Sequence, residues 1–399
     1  MAPPPKTVFV FGAGFSAAAQ FPLQTAILPR IREFQVDLLT SPRHTIDVFE
    51  PARKELLEFL ERVFPAGSNP PLEDVFTLLD QAIAHRDSCG GYPWTKLVQI
   101  RESLSRAILF VFHQAGESLT DESRNAYRSI ASYLIGLRAE DGQEGDPFSI
   151  VSLNWDYLLD DMIFECIDQA GLDAKVDIDY CCYTNPMGSS QHIPSLLQKT
   201  RGLFNIKILK LHGSANWLRC PNCNRLFTGV GAKEEVWDSY VLPHVCRYCT
   251  PGVPEGGEGD LTPLLEPFVI SPTFVKVFDN PHIQMIWHNA YVDLAEAARL
   301  IFVGYSLPEA DYHVRTLLRR AVRRDADVIA VLRQEDEPSV NVEERLRNLY
   351  AAVRYRTFFG AARVHIDAGG VEAFFKGAVG DVALQDALDA AKGRIVGVP

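Results

Sequence analysis

Residues 6–22, KTVFVFGAGFSAAAQFP, constrain the fold of this chain more than any other stretch. Residues 8–11 are a continuous run of β-branched and aromatic side chains, which is typical of a parallel strand buried on both faces. Gly12 and Gly14 allow a sharp turn, and Ala17 is small enough for a following helix to pack on the strand. Gly-x-Gly-x-x-Ala after a strand is typical of dinucleotide-binding loops, where a helix N-terminus receives a pyrophosphate. Short glycine patterns also occur in ordinary turns, so the motif alone leaves both interpretations open.

Length and composition limit the classes of protein to which the chain can belong. Its 399 residues, 47% of them hydrophobic, are enough for one large or two medium domains. Lys and Arg number 39 against 51 Asp and Glu, and this formal net charge of −12 disfavours bulk attraction to nucleic acid and anionic membranes. We therefore expect no membrane association and no direct binding of nucleic acid.

The beginning of the chain superficially imitates a secretory signal. Lys6 precedes the apolar run, and three alanines follow at 17–19. Two glycines interrupt that run, however, and no apolar stretch approaches the roughly 18 residues that a membrane span needs. We expect a cytoplasmic location.

Residues 24–140 show the spacing of helices rather than the alternation of strands. The pattern predicts helices over 48–64, 72–83 and 96–115. We assign residues 26–145 as a helical insertion. It would form a cap over a ligand cleft, an oligomerisation surface or a purely structural bundle, and the pattern does not choose among them.

Polar residues follow two further strands at the point where each strand ends. A predicted strand at 148–153 leads into Asn154-Trp155-Asp156, and another at 206–211 leads into His212-Gly213. The carboxyl ends of parallel strands are where α/β folds place ligand contacts. Asn and Asp also favour helix-capping positions, and a lone histidine is more often a satisfied core or surface residue. His212 lies beside a glycine, which would let its ring face an open cleft.

The eight cysteines divide into two groups. Four form two Cys-x-x-Cys pairs with 22 residues between them, and the other four are most simply unpaired thiols. The pairs are Cys220 with Cys223 and Cys246 with Cys249. They can supply four thiolates to one structural Zn²⁺. Disulfides or redox-active dithiols are the alternative, and nearby arginines at 219, 225 and 247 leave open a nucleic-acid-reading ribbon, which the acidic chain disfavours.

The α/β pattern resumes after a flexible segment at 251–260. Strands are predicted at 267–271, 300–303 and 328–332, with an edge strand at 363–366, and helices at 281–298, 311–324 and 371–375. Gly304 and Ser306 follow one of these strands. They repeat the arrangement of the first glycine loop, where backbone and hydroxyl groups can reach a bound nucleotide.

The order of these motifs resembles that of the sirtuin family. Five elements correspond: a phosphate loop with a following proline, an Asn-x-Asp element, a His-Gly element, two Cys-x-x-Cys pairs and a Gly-x-Ser-Leu loop. In this chain they are Gly12-Ala13-Gly14-Phe15-Ser16 with Pro22, Asn154-Trp155-Asp156, His212-Gly213, Cys220 and Cys223 with Cys246 and Cys249, and Gly304-Tyr305-Ser306-Leu307. Five motifs in this order arise by chance far less often than any single one.

The resemblance implies a Rossmann-like, doubly wound parallel sheet with a large helical insertion and a small zinc ribbon. It places the Rossmann domain at 1–25 and 146–376, the insertion at 26–145, the ribbon at 217–252 and a C-terminal tail at 377–399. It also implies a set of NAD-binding residues: Gly12, Ala13, Gly14, Phe15, Ser16, Pro22, Asn154, Asp156, Gly304, Tyr305 and Ser306.

Departures from the sirtuin pattern bear on the reaction. Sirtuin deacylases continue the loop with Asp-Phe-Arg, where this chain has Leu23, Gln24 and Thr25, and Leu153 replaces the glutamine before the asparagine. The Phe-Gly-Glu element that helps hold the acyl-lysine peptide is not evident around 267–272. The chain is more similar to the divergent sirtuin-like domains of bacterial anti-phage systems, which hydrolyse NAD and often assemble into oligomers.

The resemblance implies cleavage of the nicotinamide–ribose bond with His212, Asn154 and Asp156 as catalytic residues and Zn²⁺ in a structural role. We expect an NAD hydrolase in anti-phage defence, acting as a homo-oligomer and with a partner protein encoded beside it. An NAD-dependent protein-lysine deacylase is the first alternative. A non-enzymatic nucleotide-sensing module is the second, although it would not need both Asn154 and His212.

Overall fold

The structure, a computed structural model, describes residues 6–34, 49–139, 146–171, 176–186, 204–229, 245–250, 264–270, 279–333 and 342–379. Its strands are β1 Thr7–Phe11, β2 Phe148–Ser152, β3 Val176–Asp179, β4 Thr184–Pro186, β5 Phe204–Lys210, β6 Gly213–Arg219, β7 Leu226–Thr228, β8 Glu266–Val269, β9 Arg299–Val303, β10 Asp327–Val331 and β11 Val364–Asp367. Its α-helices are α1 Ala13–Ala17, α2 Gln24–Glu33, α3 Glu50–Val63, α4 Leu72–His85, α5 Trp94–Glu117, α6 Asp121–Ala139, α7 Leu158–Gln169, α8 Pro281–Glu296, α9 Tyr312–Ala321, α10 Val342–Phe359 and α11 Gly370–Val379.

Seven strands form the main sheet in the order β3-β5-β2-β1-β9-β10-β11, and every neighbouring pair is parallel. All five residues of β1 are buried, which explains why this strand is a continuous apolar run: both of its faces are covered. The chain proceeds from β1 to β2 on one side and returns with β9 on the other. Such a switch point leaves a crevice at the carboxyl ends of the strands, where α/β sheets bind ligands.

The register of the sheet aligns the predicted site segments. Phe11, the last residue of β1, is level with Ser152 of β2 and with Val303 of β9. Ser152 is in turn level with Lys210 of β5. The segments that follow these four strands therefore leave the sheet at one edge. The predicted fold class, a doubly wound parallel α/β sheet, is confirmed.

A second, smaller sheet has the order β4-β7-β6-β8 and adjoins the four cysteines. It contains the strand predicted at 267–271, which is β8 and pairs antiparallel with β6 instead of joining the main sheet. An apolar run of four or five residues predicts a strand but not its partner, because pairing depends on contacts with distant segments.

The helices between β1 and β2 form two groups. Helices α3 and α4 pack against α5, as does α2, whereas α6 packs against α7 and contacts β5. The three predicted helices correspond to α3, α4 and α5; α2 and α6 were not predicted. None of the described helices is both long and apolar enough to cross a membrane.

The domain boundaries proposed from the sequence stay predictions. Helix α11 ends at Val379, three residues into the segment predicted as a tail, and the rest of that tail lies outside the described residues. The predicted flexible segment at 251–260 lies outside them as well.

Candidate active site

The two glycine loops predicted to approach a nucleotide contact each other directly. The Gly12 N–H donates to the Val303 carbonyl at 3.0 Å, and the Gly14 N–H donates to the Gly304 carbonyl at 2.8 Å. A Cβ on Gly12 would lie 2.6 Å from the Tyr305 Cα. Gly304 has a φ of +64°, and a Cβ there would overlap the Phe15 nitrogen. Glycine is therefore required at these positions for the loops to pack together, before any ligand is considered.

This packing reduces the number of backbone N–H groups that the first loop can donate to a phosphate. The Gly14 N–H is donated to Gly304, and the Phe15 N–H is donated to the Gly12 carbonyl at 2.8 Å. Helix α1 is only five residues long. The Phe15 ring is buried against Phe11, with 4.4 Å between ring centroids, so its side chain belongs to the core. Pro22 is buried and Ala13 is exposed.

Asn154 connects the end of β2 to the first glycine loop. Its Nδ2 donates to the Gly12 carbonyl at 3.0 Å and lies 3.4 Å from the Ser16 Oγ. The residue is buried, and no described residue forms a hydrogen bond with its Oδ1. A buried carbonyl oxygen without a donor is costly, and such atoms in native structures call for an explanation. Because less than 1 Å² of this oxygen is exposed, a ligand hydroxyl group could donate to it only after a small local rearrangement.

Asp156 lies beside the first glycine loop and also forms a hydrogen bond with the beginning of α7. Its Oδ1 accepts the Leu158 N–H at 3.3 Å, in the first turn of α7. Burial raises the pKa of its carboxyl, and the nearby Lys210 ammonium and a hydrogen bond from Ser16 oppose that shift without cancelling it. The capping interpretation therefore holds for Asp156, whereas the Asn154 side chain is bonded to the glycine loop.

A buried ion pair that sequence reasoning missed lies beneath this segment. Lys210, 1% exposed, donates from its Nζ to the Asp156 carbonyl at 2.7 Å and to the Asp160 Oδ2 at 2.8 Å. The Tyr180 hydroxyl donates to the Asp160 Oδ1 at 2.9 Å. The network holds the backbone of Asp156 in place. A lysine within the apolar run ILKLH was the signal that could have indicated it.

His212 follows β5 and is held at one of its ring nitrogens. Its Nδ1 lies 3.2 Å from the Leu153 carbonyl, and because a carbonyl can only accept, the neutral ring carries its proton on Nδ1. Its Nε2 is then an acceptor, and it lies 4.0 Å from the Asp311 Oδ1. The indole of Trp287 is 6.5 Å from the imidazole centroid and donates to the Leu211 carbonyl at 2.9 Å.

Asp311 and Tyr305 form a pair behind His212. The Tyr305 hydroxyl donates to the Asp311 Oδ2 at 3.0 Å. Burial, followed by the charge of Asp311, raises the pKa of Tyr305 well above its usual value. Tyr305, predicted to contact NAD, is buried with its hydroxyl on Asp311, while the exposed Ser306 offers its carbonyl to Arg354 at 2.9 Å. No motif indicated Asp311.

The structure thus brings most of the predicted residues to one edge of the sheet. Gly12, Ser16, Asn154 and Asp156 are connected by hydrogen bonds, and Gly304 contacts the same loop. His212 is connected to the residue preceding Asn154. The roles of these residues toward a ligand stay predictions.

Two aromatic residues in the segment that follows β2, Trp155 and Tyr157, pack against aromatic side chains and not against the glycine loop. The Trp155 ring makes edge-to-face contacts with Phe76 of α4 at 6.5 Å and with Phe112 of α5 at 6.4 Å. Tyr157 makes a similar contact with Phe21 at 6.3 Å. The segment after β2 therefore alternates between polar residues on the glycine loop and aromatic residues against Phe21, α4 and α5.

The four paired cysteines converge on a single point. All four Sγ atoms lie within 4.8 Å of one another, with 3.8 Å between Cys220 and Cys249 and 3.7 Å between Cys223 and Cys246. A tetrahedron with Zn–S bonds of about 2.3 Å has S–S edges of about 3.8 Å. None of the four is in a disulfide. The set fits a structural zinc ion, as predicted.

No protein-family model matches the chain, and no curated protein matches it in sequence. Among solved structures it is similar to a Sir2 homologue in complex with NAD, at 14% identity and a TM-score of 0.35 over 88% of this chain and 90% of that one. A Sir2 homologue mutant with ADP-ribose matches at 14% identity and a TM-score of 0.34, over 88% of this chain and 92% of that one. A Sir2 homologue mutant with 2′-O-acetyl-ADP-ribose matches at 13% identity and a TM-score of 0.32, over 88% and 93%.

Proposed function

We propose that this chain hydrolyses NAD to nicotinamide and ADP-ribose. The observation that carries the proposal is the unpartnered, buried Oδ1 of Asn154, held beside the first glycine loop at the edge from which His212 also projects. A ligand with hydroxyl groups would satisfy that oxygen, and the nicotinamide ribose of NAD has two of them. The five-motif resemblance to sirtuins supplies the substrate class.

The chemistry is the cleavage of a glycosidic bond. As the bond from ribose C1′ to the nicotinamide nitrogen breaks, its electron pair leaves with nicotinamide and the sugar acquires oxocarbenium character. Asn154 would orient a ribose hydroxyl or the attacking water, and Asp156 would hydrogen-bond the carboxamide. His212 would take the proton of the water through Nε2, the nitrogen that the Leu153 contact leaves as the acceptor.

Water is the acceptor that the sequence departures favour. Leu23 precedes α2, and Gln24 and Thr25 lie in its first turn, where sirtuin deacylases carry Asp-Phe-Arg. Leu153 stands where sirtuins have a glutamine, and its side chain can neither donate nor accept a hydrogen bond. A role in bacterial anti-phage defence, a homo-oligomer and a partner protein encoded beside this one belong to the same proposal and rest on the resemblance alone.

A protein-lysine deacylase is the second candidate, since the four-cysteine cluster and His212 are equally expected there. Its substrate would include an acylated peptide, and its product would be O-acyl-ADP-ribose. A nucleotide-sensing module is the third, and it would bind NAD without turnover.

One experiment separates the three candidates. The purified protein is incubated with NAD, with and without an acetyl-lysine peptide, and the products are resolved by chromatography. We expect nicotinamide and ADP-ribose without peptide. Strict dependence on the peptide, with O-acyl-ADP-ribose formed, would establish the deacylase instead. Binding of NAD by calorimetry with no product under either condition would establish the sensing module.

A further inference from the structure

We propose that Asp311 is a positioning residue for His212: held by the Tyr305 hydroxyl, its carboxylate orients the imidazole and stabilises the charge that the ring acquires on taking a proton. This inference rests on the proposed role of His212 as a general base. No sequence motif pointed to Asp311, and its place is apparent only from the packing of the helix that it precedes.

The Asp311 side chain does not cap the helix that it precedes. Asp311 occupies the N-cap position of α9, where an aspartate ordinarily accepts a backbone N–H of the first turn. Its side chain makes no such capping hydrogen bond. The carboxylate is directed instead to the Tyr305 hydroxyl at 3.0 Å and toward the His212 Nε2 at 4.0 Å. The orientation is therefore not explained by helix capping.

Asp311 faces the ring nitrogen of His212 that Leu153 does not contact. The Leu153 carbonyl holds Nδ1, so Nε2 is the nitrogen that takes up a proton. At 4.0 Å the Nε2 and the Asp311 Oδ1 are too far apart for a hydrogen bond but close enough for an ion pair once the ring is charged. An opposite charge within about 4–6 Å favours the charged form of a titrating group.

Two other groups that lie against the ring are uncharged. The segment after β2 presents the Leu153 carbonyl, and α8 presents the indole of Trp287, which is uncharged. Arg315 of α9 is directed to the Leu307 carbonyl, at 3.2 Å. Asp311 is therefore the carboxylate that the described structure places against His212.

The proton balance of the step is simple. An O–H bond of the attacking water breaks, its proton passes to Nε2, and the imidazolium is opposed by the ionised Asp311. Tyr305 stays protonated throughout, because burial raises its pKa well above the usual value, and it keeps donating to Asp311. The carboxylate does not take the proton itself.

The test uses two substitutions and two readouts on the full-length protein. Asp311→Asn keeps the shape and the acceptor for Tyr305 but removes the charge, and Asp311→Glu is the conservative variant expected to restore function in part. For Asp311→Asn we expect kcat for NAD to fall about 10–100-fold, toward the lower range for a lost acid–base contribution, with KM unchanged. In NMR titration the pKa of the His212 ring should fall by about one unit, with His212→Ala used to assign its signal among the 10 histidines.

The titration keeps this inference separate from the proposed function. If the wild-type protein does not turn over NAD, the hydrolase assignment fails, but a lower ring pKa in Asp311→Asn would still establish the pairing of Asp311 with His212. An unchanged ring pKa in that variant would overturn the inference. A rise in KM with unchanged kcat would also overturn it, because Asp311 would then contact the substrate and not act through His212.

Discussion

Both ends of the parallel sheet carry buried polar residues, but an aspartate at the amino end has a lowered pKa and one at the carboxyl end has a raised pKa. At the amino end, Lys6 precedes β1 and pairs with Asp146 at 3.1 Å and with Asp293, while Lys207 contacts the same two carboxylates. Opposite charges there neutralise one another. At the carboxyl end, Asp156 is a buried carboxyl with a raised pKa. Buried side-chain oxygens without a partner among the described residues occur at both ends, on Asn154 at the carboxyl end and on Asp146 and Asp293 at the amino end.

The pKa values of Asp146 and Asp156 are shifted in opposite directions. Burial alone would raise the pKa of Asp146, but Lys207 and Lys6 outweigh it, so the pKa is lowered and the ionised form stabilises the fold. For Asp156 burial prevails, so the pKa is raised and the ionised form destabilises the fold. Groups kept in an unfavourable state at the end of a sheet are typical of functional sites. The paired charges of the amino end therefore stabilise the fold, and the carboxyl end is where we propose that the ligand binds.

The largest effect should come from removing the site side chains. His212→Ala should lower NAD turnover about 10²–10⁴-fold, the usual loss for a positioned acid–base group, with little change in thermal stability. Asn154→Ala should also lower turnover strongly, and because it leaves the Gly12 carbonyl without its donor it should cost about 1–3 kcal/mol of stability. Steady-state kinetics and thermal unfolding measure the two effects. His365→Ala, on the edge strand β11, is the matched control and should keep full activity. Full activity in both site variants would remove the proposed mechanism.

At the amino end, replacing a side chain by alanine should lower the free energy of unfolding and leave NAD turnover unchanged. Asp293→Ala removes the closest partner of the buried Lys6. Because Lys6 keeps Asp146 as a partner, the loss should stay below the roughly 3–5 kcal/mol of a buried charge left uncompensated. Urea unfolding measures the loss, and kcat of the folded fraction should be unchanged. Glu296→Ala is the control, because Glu296 pairs with the same lysine but is 59% exposed and should contribute little. An equal loss in both variants would contradict the buried pair as the source.

Mutation of the four-cysteine cluster, like mutation of the amino end, should affect stability, because we expect the cluster to have a structural role. Cys223→Ser should reduce the zinc content and lower the unfolding temperature, since metal binding provides folding free energy to such a ribbon. Metal analysis and thermal unfolding check this, with Cys89→Ser, outside the cluster, as the control. Purified wild-type protein without zinc would show that the cluster is not a metal site.

The smallest effect, on the order of 1 kcal/mol as for a typical substitution, should distinguish the two aspartates by sign. Asp156 has a raised folded pKa, so its cost to stability develops as the pH rises above about 3.9, the unfolded value. Asp146 has a lowered folded pKa, so its contribution is present above that value and is lost as the pH falls through the folded pKa.

At neutral pH, Asp156→Asn should therefore raise the unfolding temperature, and Asp146→Asn should lower it. Asparagine keeps an oxygen for the Leu158 N–H, so the cap of α7 is preserved in the first variant. Unfolding temperatures measured from pH 3 to pH 8 should show both differences shrinking in acid. Shifts of the same sign at neutral pH would contradict the contrast between the two ends.

Much of the fold follows from local sequence, because buried parallel strands are continuous apolar runs. Strands β1, β2, β5, β9 and β10 were predicted to within about two residues. The short strand β3, VDID, is too polar to be recognised by such a run. Helices α6 and α10 were missed although both are longer than 15 residues, and in α6 the apolar positions do recur at helical spacing.

The candidate site also contains residues that the sequence predicts and residues that only the folded structure reveals. Glycine loops, Asn154 and His212 are visible as motifs at strand ends. The pairing of Lys210 with Asp160 and of Asp311 with Tyr305 joins residues whose chemistry is apparent only after the chain folds. The glycines were expected to serve a ligand, but a large part of their requirement is the contact between the two loops, which only the packing reveals.

The most direct test of the account is a crystal structure of the protein with ADP-ribose. We expect the ligand at the carboxyl end of the sheet, with a ribose hydroxyl oxygen within about 3.2 Å of the Asn154 Oδ1 and the sugar facing the His212 Nε2. The salt-bridged amino end should be unchanged. ADP-ribose bound elsewhere, with that oxygen of Asn154 still without a partner, would contradict the assignment of the carboxyl end as the nucleotide site.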